Sequence, residues 1–175
     1  MGLEEVFKVL SKGVMVSIHS QKYLDVAKFL MIDENFDETY ELLKKIGYQL
    51  NGENGYFYIS KLEGMNESEL NSFLNNHKNI IICIAILKQL FPYLDRGHLL
   101  SKSDFIVKVK EKDDEALDQK LAYLFNTTDA MKVTDSFFDL LEKSYVIEKR
   151  SNDSRDEHLV LSSIEYYYKI IESVA

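Results

Sequence analysis

Two distant stretches of the sequence share one pattern, the end of a charged helix that runs directly into a strand. The segment LLKKIGYQL covers residues 42–50, and LLEKSYVIE covers residues 140–148. An apolar run led by glycine precedes each of them, GVMVS at 13–17 and GHLLS at 97–101. Matched landmarks in the same order indicate an internal repeat, because a repeated unit repeats its element boundaries. The pattern therefore predicts a fold with two similar halves.

The first copy predicts the order helix, short strand, helix, helix and β-hairpin. Apolar residues recur at helical spacing up to Gly13, which is typical of a helix C-terminus. Ser20 is expected to cap a second helix, and a third starts near Asn35 or Asp37 and stops at Gly47. The polar stretch NGEN at 51–54 predicts the hairpin turn, since Asn-Gly readily adopts positive φ. This is the element order of a winged helix.

The second copy follows the same order with longer connections. Its helices are expected at 67–76, at 78–91 before Pro92, from Ser103 or Asp104, over DDEALDQKLAYLF, from Thr134 or Asp135, and from residue 163 onward. Its extra length falls in the acidic stretch 111–126, which we interpret as an insertion or a lengthened second helix. The sequence predicts a mainly α fold with small β-hairpins, arranged as two tandem winged-helix domains. Their expected bounds are 1–62, and 63–175 with preceding linking helices.

Charge and cysteine usage limit the partners and the compartment. The net charge is −8, and residues 111–175 carry 15 acidic against 8 basic side chains. This average repels phosphate backbones and favours a basic partner protein. Cys83 has no cysteine partner, which indicates a reducing compartment and an inert thiol. The apolar run IIICIAIL is too short for a membrane span and no signal pattern precedes it, so we expect a cytoplasmic protein without membrane contact.

The sequence lacks the patterns that most enzyme classes need. One cysteine and four isolated histidines do not make a zinc site, and no glycine-rich phosphate loop occurs. No serine lies in a nucleophile elbow. The paired carboxylates alternate with lysines at helical spacing, which is typical of a solvated helix face. We therefore expect a binding protein with no catalytic residues, no metal and no cofactor.

Positive side chains near the second hairpin are the best candidates for DNA contact. Both helices that would enter a major groove, NFDETYELLKK and VTDSFFDLLEKS, are acidic and unsuited to reading bases. Lys149, Arg150 and Arg155 flank the second hairpin and could meet phosphates without reading sequence. Acidic neighbours dilute this patch, so an ordinary exposed turn is the alternative. Lys44 and Lys45 are weaker candidates, because lysines at a helix C-terminus also complement its dipole.

Clustered aromatic residues are candidates for a partner-binding surface. Tyr166, Tyr167 and Tyr168 are consecutive on a predicted helix, where successive side chains point about 100° apart. At least one of them must be exposed or covered by a partner. Phe137 and Phe138 form a second pair. Tyrosine is enriched in protein interfaces, although partial exposure of an amphipathic ring is an equal alternative.

The pattern resembles the MukE/MksE family, the kite subunits of bacterial SMC-type condensins. The resemblance rests on LEEVFKVLSKGVMVS, YELLKKIGYQLNGENGYFYIS, IIICIAILKQLF and LLEKSYVIE with HLVLSSIEYYYKII, and it covers most of the chain. It implies a non-enzymatic, nucleoid-associated homodimer that binds the kleisin subunit and assists an SMC ATPase in chromosome organisation, partitioning or plasmid defence. Basic residues of the C-terminal domain touch DNA in the family, and Lys149, Arg150 and Arg155 occupy positions that could do so weakly and nonspecifically.

Two other function classes compete with this interpretation. A winged-helix transcription regulator is the first alternative, and it would bind DNA tightly and sequence-selectively without partners. An enzyme of an unrecognised type is the second, and it would require a pocket with strongly perturbed carboxylates.

Overall fold

The computed structural model describes residues 1–150 and 156–174, and they form a mixed α+β fold. The first half comprises α1 (Leu3–Leu10), β1 (Val16–Ser17), α2 (Leu24–Leu30), α3 (Asp33–Lys45), β2 (Tyr48–Glu53) and β3 (Tyr56–Lys61). The second half comprises α4 (Glu67–Leu90), β4 (Leu99–Ser101), α5 (Lys102–Lys112), α6 (Glu115–Phe125), α7 (Ala130–Lys143), β5 (Ile147–Lys149), β6 (Glu157–Val160) and α8 (Ile164–Val174).

The two halves share one sheet topology. Each contains a three-stranded antiparallel sheet, with the order β1-β3-β2 in the first and β4-β6-β5 in the second. In both, the first short strand pairs with the last strand of the hairpin, which leaves the first hairpin strand at an edge. The predicted element order of the first half is confirmed. The extra length of the second half forms an additional helix, α6, as the insertion interpretation predicts.

Each half has its own apolar core. In the first half, α1, α2 and α3 bury Val6, Leu10, Leu30 and Leu43 against Leu50 of the hairpin. In the second, the C-terminal part of α4 packs with α5, α7 and α8 around a larger core that contains four aromatic residues, Phe105, Phe137, Phe138 and Tyr167. Burial of this kind supplies most of the driving force for folding.

The first hairpin turns three residues later than predicted. Strand β2 continues through Asn51 and Gly52, and the turn lies at Asn54–Gly55, with φ of 49° and 81°. The sequence contains Asn-Gly at both places, and packing decides between them. A Cβ atom at Gly52 would lie 2.7 Å from Cε2 of Phe36, so this glycine permits a close approach of an aromatic ring to the strand.

Helix α4 corrects the prediction of two separate helices. It is continuous over 24 residues and begins with a capping box, in which Asn66 Oδ1 accepts the N–H of Glu69 and Glu69 Oε2 accepts that of Asn66. Its first thirteen residues are largely exposed, whereas its second half is buried from Ile80 onward. The break in the apolar pattern therefore marks a change from a projecting to a packed segment and not a helix end.

The starts of two other helices are also corrected. Ser101 caps α5, because its Oγ accepts the N–H of Asp104 at 3.1 Å. Asp129 caps α7 by accepting the N–H of Met131 and of Lys132. Thr134, which the sequence predicts near the start of α7, lies inside the helix and donates to a backbone carbonyl one turn back. A threonine inside a helix can donate to the carbonyl four residues earlier, just as a threonine at a helix start can cap it. A threonine in the sequence therefore does not by itself mark the start of a helix.

The two halves meet along a seam of polar contacts. Ser17 Oγ of β1 accepts the N–H of Ser162 at 2.9 Å, and His19 Nδ1 lies 2.7 Å from Ser162 Oγ. Glu148 of β5 accepts hydrogen bonds from three successive residues, 20–22, ahead of α2. Among the described residues that are not exposed, no fully buried side-chain polar atom lacks a partner. The seam therefore joins two separate cores into one hydrogen-bonded body.

Candidate interaction surfaces

A groove lies between the first hairpin and the projecting half of α4. We call it the hairpin–α4 groove, and its volume is about 710 Å³. The hairpin side contributes Tyr48 and Ile59, the connecting loop contributes Leu62 and Met65, and α4 contributes Phe73. The groove exists because α4 leaves the loop at residue 67 with its first turns unpacked against the hairpin.

Several apolar side chains at this groove are exposed. Leu62 is 42%, Met65 50% and Tyr48 38% exposed in the groove. Leu70 and Leu74 of α4, at 46% and 40%, are exposed as well but do not line it. Leu70 and Leu74 are one helical turn apart, so they form a separate exposed pair on α4. Isolated exposed apolar residues are common on protein surfaces, but Tyr48, Leu62 and Met65 line one groove together, which is typical of a docking surface.

Polar and aromatic contacts lie along the walls of the hairpin–α4 groove. Lys61 Nζ lies 2.5 Å from Glu69 Oε1 and connects the end of the hairpin to α4. This hydrogen bond holds the pKa of the Glu69 carboxyl below its ordinary value. His77 Nδ1 lies 2.8 Å from the Phe73 carbonyl oxygen, and the two rings stack with centroids 4.0 Å apart. The Lys61–Glu69 pair thus joins the hairpin to α4 at one side of the groove and leaves its apolar residues uncovered.

The three consecutive tyrosines of α8 lie in three different environments. Tyr167 is buried in the core at 3% exposure, whereas Tyr166 and Tyr168 are half-buried. The ring of Tyr166 packs edge-on against Tyr58 of the first hairpin at 5.2 Å, and Lys88 of α4 lies over the Tyr168 ring at 4.6 Å. Burial raises the pKa of all three hydroxyls to about 12. The chain itself therefore covers much of this tyrosine cluster.

The structure places Phe137 and Phe138 in the core and corrects their assignment to a partner surface. They are 0% and 1% exposed. Phe137 lies 4.4 Å from the ring of Phe105, and Phe138 lies 4.8 Å from that of His158. Both residues of this pair can be buried at once because α7 packs between α5 and the second sheet, a contact that the sequence does not reveal.

The positive side chains at the second hairpin are paired with carboxylates. Lys149 Nζ lies 2.9 Å from Asp156 Oδ1, and Arg150 Nη1 lies 3.6 Å from Glu157 Oε2. The hydrogen bond from Lys149 lowers the pKa of Asp156, so this carboxylate stays ionised and cancels the local charge. Arg155 lies outside the described residues. The part of this patch that is described offers little net positive charge to a phosphate.

The weaker pair of DNA candidates lies at the other end of the chain. Lys44 and Lys45 end α3 and are both exposed. Lys44 lies 5.8 Å from the ring of Tyr40, and neither lysine has an ion-pair partner among residues 1–150 and 156–174. Two free lysines at a helix C-terminus can contact phosphate, but they also satisfy the helix dipole.

The described part of the chain offers neither a metal site nor a membrane span. That part contains no cluster of three or more histidine, cysteine or acidic residues placed to hold a metal ion. None of its helices combines the length and the apolar character that crossing a membrane requires. Burial raises the pKa of the single thiol, Cys83, to about 12, which makes it a poor nucleophile.

Leu62 and Met65 of the hairpin–α4 groove, and the exposed pair Leu70 and Leu74 of α4, were not among the residues that the sequence predicts for a site. A signal was present, because Leu70 and Leu74 are four residues apart in an otherwise polar helical stretch. Such a pair normally faces a core. Only the packing of α4 shows that no core of the chain reaches it.

The comparison with protein families matches nearly the whole chain. A family model described as condensin complex protein MksE covers residues 2–172 of the 175 residues. No curated protein sequence matches the chain significantly. The match spans both halves and the joint between them, and it agrees with the resemblance that the repeated landmarks carry. The chain therefore belongs to the MksE family of condensin complex proteins.

Proposed function

We propose that this chain is the non-enzymatic, kleisin-binding kite subunit of an SMC-type condensin complex, built from tandem winged-helix domains at 1–62 and 63–175. Membership of the MksE family supports the complex, and the shared strand order of the two sheets supports the duplicated fold. The role in the cell is chromosome organisation and partitioning or plasmid defence. The protein acts in the nucleoid-containing cytoplasm as a homodimer.

The observation that carries this proposal is the uncovered hairpin–α4 groove. Leu62 and Met65 remain about half exposed there, at a free-energy cost that a partner would remove by burying them. Strand β2 forms the outer edge of its sheet, so its free backbone groups can pair with an extended segment. A kleisin segment that alternates apolar side chains along such a strand fits both features.

DNA contact is weak and nonspecific in this proposal and occurs mainly within the assembled complex. The ion pairs of Lys149 and Arg150 leave little free positive charge, and the acidic α3 is unsuited to a major groove. Tight, sequence-selective binding of DNA by the isolated chain would instead identify a transcription regulator and contradict the proposal.

The test is a binding titration with the kleisin encoded with this chain. The double variant Leu62→Glu with Met65→Glu places two charges in the hairpin–α4 groove without touching a core, and we expect Kd to rise roughly 10- to 100-fold. Tyr93→Glu with Tyr123→Glu is the matched control, since these residues are 92% and 89% exposed and lie outside the groove. It should leave Kd within about twofold, as exposed positions outside an interface do.

Light scattering of the same variants separates the partners. The proposal expects Leu62→Glu with Met65→Glu to keep the mass of the unmodified protein and lose kleisin binding alone. Equal kleisin affinity in this groove variant and in Tyr93→Glu with Tyr123→Glu contradicts the groove assignment. Loss of the dimer with kleisin binding intact shows instead that the groove joins two copies of this chain.

A further inference from the structure

A second cavity, which we call the α5–α6 cleft, lies in the second half of the molecule. Helices α5 and α6 each pack on α7, and a space of about 490 Å³ remains between them. Phe105, Leu121 and Val133 form its floor, and they are 1%, 3% and 7% exposed. Cavities of this size commonly hold ligands or anchoring side chains.

The cleft has no equivalent in the first half, because α6 has no counterpart there. Two residues in the left-handed conformation set its geometry, Asp113 with φ of 47° after α5 and Asn126 with φ of 51° after α6. Residues other than glycine adopt this conformation at a cost of about 1 kcal/mol, which the surrounding packing must offset. A left-handed residue thus fixes the turn from α5 into α6 and another fixes the turn from α6 towards α7.

The mouth of the α5–α6 cleft is acidic. Asp113 and Asp118 line it with one cation, Lys110. An adjoining depression adds Asp114 and Glu115 against a single lysine, Lys112. The Asp114 carboxylate caps α6, whereas the carboxylates of Asp113 and Asp118 have no ion-pair or hydrogen-bond partner within the described residues. An apolar floor under two free carboxylates favours a ligand that is apolar in one part and cationic in another.

We propose that the α5–α6 cleft is a docking site for an amphipathic segment of a partner protein, whose apolar side chains enter the cleft and whose lysine or arginine side chains pair with Asp113 and Asp118. The acidic mouth repels nucleic acid and other phosphate ligands. This site is separate from the hairpin–α4 groove in sequence and in position, so it gives the subunit a second contact that does not depend on the kleisin assignment.

Fluorescence anisotropy with labelled synthetic peptides tests the charge and the apolar requirement together. The first probe carries leucines on one helical face and lysines on the other. The second replaces the lysines by glutamates, and the third replaces the leucines by serines. The proposal expects the leucine–lysine peptide to bind at least roughly tenfold more tightly than either of the others, because each replacement removes one half of the complementarity.

Variants of the chain then locate the site. Asp113→Asn with Asp118→Asn removes two charges, and asparagine tolerates the left-handed conformation at residue 113. Ala122→Phe fills the cleft without changing charge, since Ala122 lines it. Each should weaken binding of the leucine–lysine peptide roughly tenfold or more. The control, Asp33→Asn with Asp37→Asn, makes the same charge change at exposed positions of α3 and should alter affinity less than about twofold.

Three results would overturn the proposal. The first is no saturable binding of the leucine–lysine peptide. The second is equal weakening by the α3 control, which would indicate nonspecific attraction to an acidic protein. The third is an unchanged affinity in the doubly neutralised cleft variant, whose exposed substitutions leave the fold intact.

Discussion

Replacing Glu148 should weaken the joint between the two halves more than any surface ion pair does. Glu148 Oε1 accepts the N–H of Gln21 at 2.7 Å and of Lys22 at 3.2 Å, and its Oε2 accepts the hydroxyl of Ser20 at 2.6 Å. A carboxylate of the second half thus satisfies the backbone donors that precede α2 in the first half. It acts as an N-terminal cap supplied from a distant part of the chain.

The magnitude follows from the exposure of the three donors. A hydrogen bond to a charged group contributes about 1.5–3 kcal/mol when its loss leaves a buried partner unpaired. Only the Ser20 hydroxyl, in a residue that is 2% exposed, would be left as a buried donor without this acceptor. Gln21 and Lys22 are exposed, so their N–H groups can bond to water. We therefore expect Glu148→Ala to lower the free energy of unfolding by about 1.5–3 kcal/mol. For a domain of this size that corresponds to a fall in Tm of about 3–12 °C.

Urea denaturation followed by circular dichroism measures this change. Glu111→Ala is the matched control, because Glu111 makes a surface ion pair with Lys108 at 2.8 Å and its loss should cost less than about 1 kcal/mol. A double-mutant cycle with Ser20→Ala should show coupling of about 0.5–1.5 kcal/mol. Equal destabilisation by Glu148→Ala and Glu111→Ala, or strict additivity in the cycle, would refute the reasoning.

Three further predictions follow from the same contacts. Burial lowers the pKa of His19 below 6.5 in the folded protein. The unfolded chain therefore binds more protons as pH falls through 6.5, and the free energy of unfolding decreases. In His19→Gln, urea titrations should show a shallower pH dependence of stability between about pH 7.5 and 5.5. Gly52→Ala should cost about 1–3 kcal/mol of stability, because the new Cβ meets the Phe36 ring at 2.7 Å, and an unchanged Tm would contradict that contact. Lys149→Glu with Arg150→Glu should weaken salt-dependent DNA binding of the assembled complex only modestly and leave folding intact; a loss of all DNA affinity would show that these ion-paired side chains dominate the contact.

Apart from the continuity of α4, the order of helices and strands could be predicted because it depends on local patterns. Gly47 ends α3 with φ of 85°, and Pro92 follows the end of α4, both through short-range effects that any chain shows. The repeat of GVMVS and GHLLS correctly marks two short strands with equivalent places in their sheets. The sequence pattern predicts the observed strands here because a short apolar run that follows a glycine is readily buried as a strand of a small sheet.

Features that depend on packing could not be predicted. Asn51–Gly52 and Asn54–Gly55 are equally good turn sequences, and the ring of Phe36 against Gly52 decides between them. Whether an apolar side chain is buried depends on elements far away in sequence, as the edge-on contact of Tyr58 with Tyr166 illustrates. The predicted partner residues Phe137 and Phe138 therefore proved to be core, while the hairpin–α4 groove had no sequence assignment at all.

Hydrogen exchange in the presence and absence of the kleisin tests the central claim most directly. The account predicts that kleisin binding slows amide exchange in the strand β2, which has a free edge, and in the first half of α4, residues 48–53 and 67–77. Exchange on α5 and α6 should stay unchanged. The contradicting result is slower exchange elsewhere in the chain while residues 48–53 and 67–77 exchange as fast as they do without kleisin. It would show that the hairpin–α4 groove does not bind the kleisin.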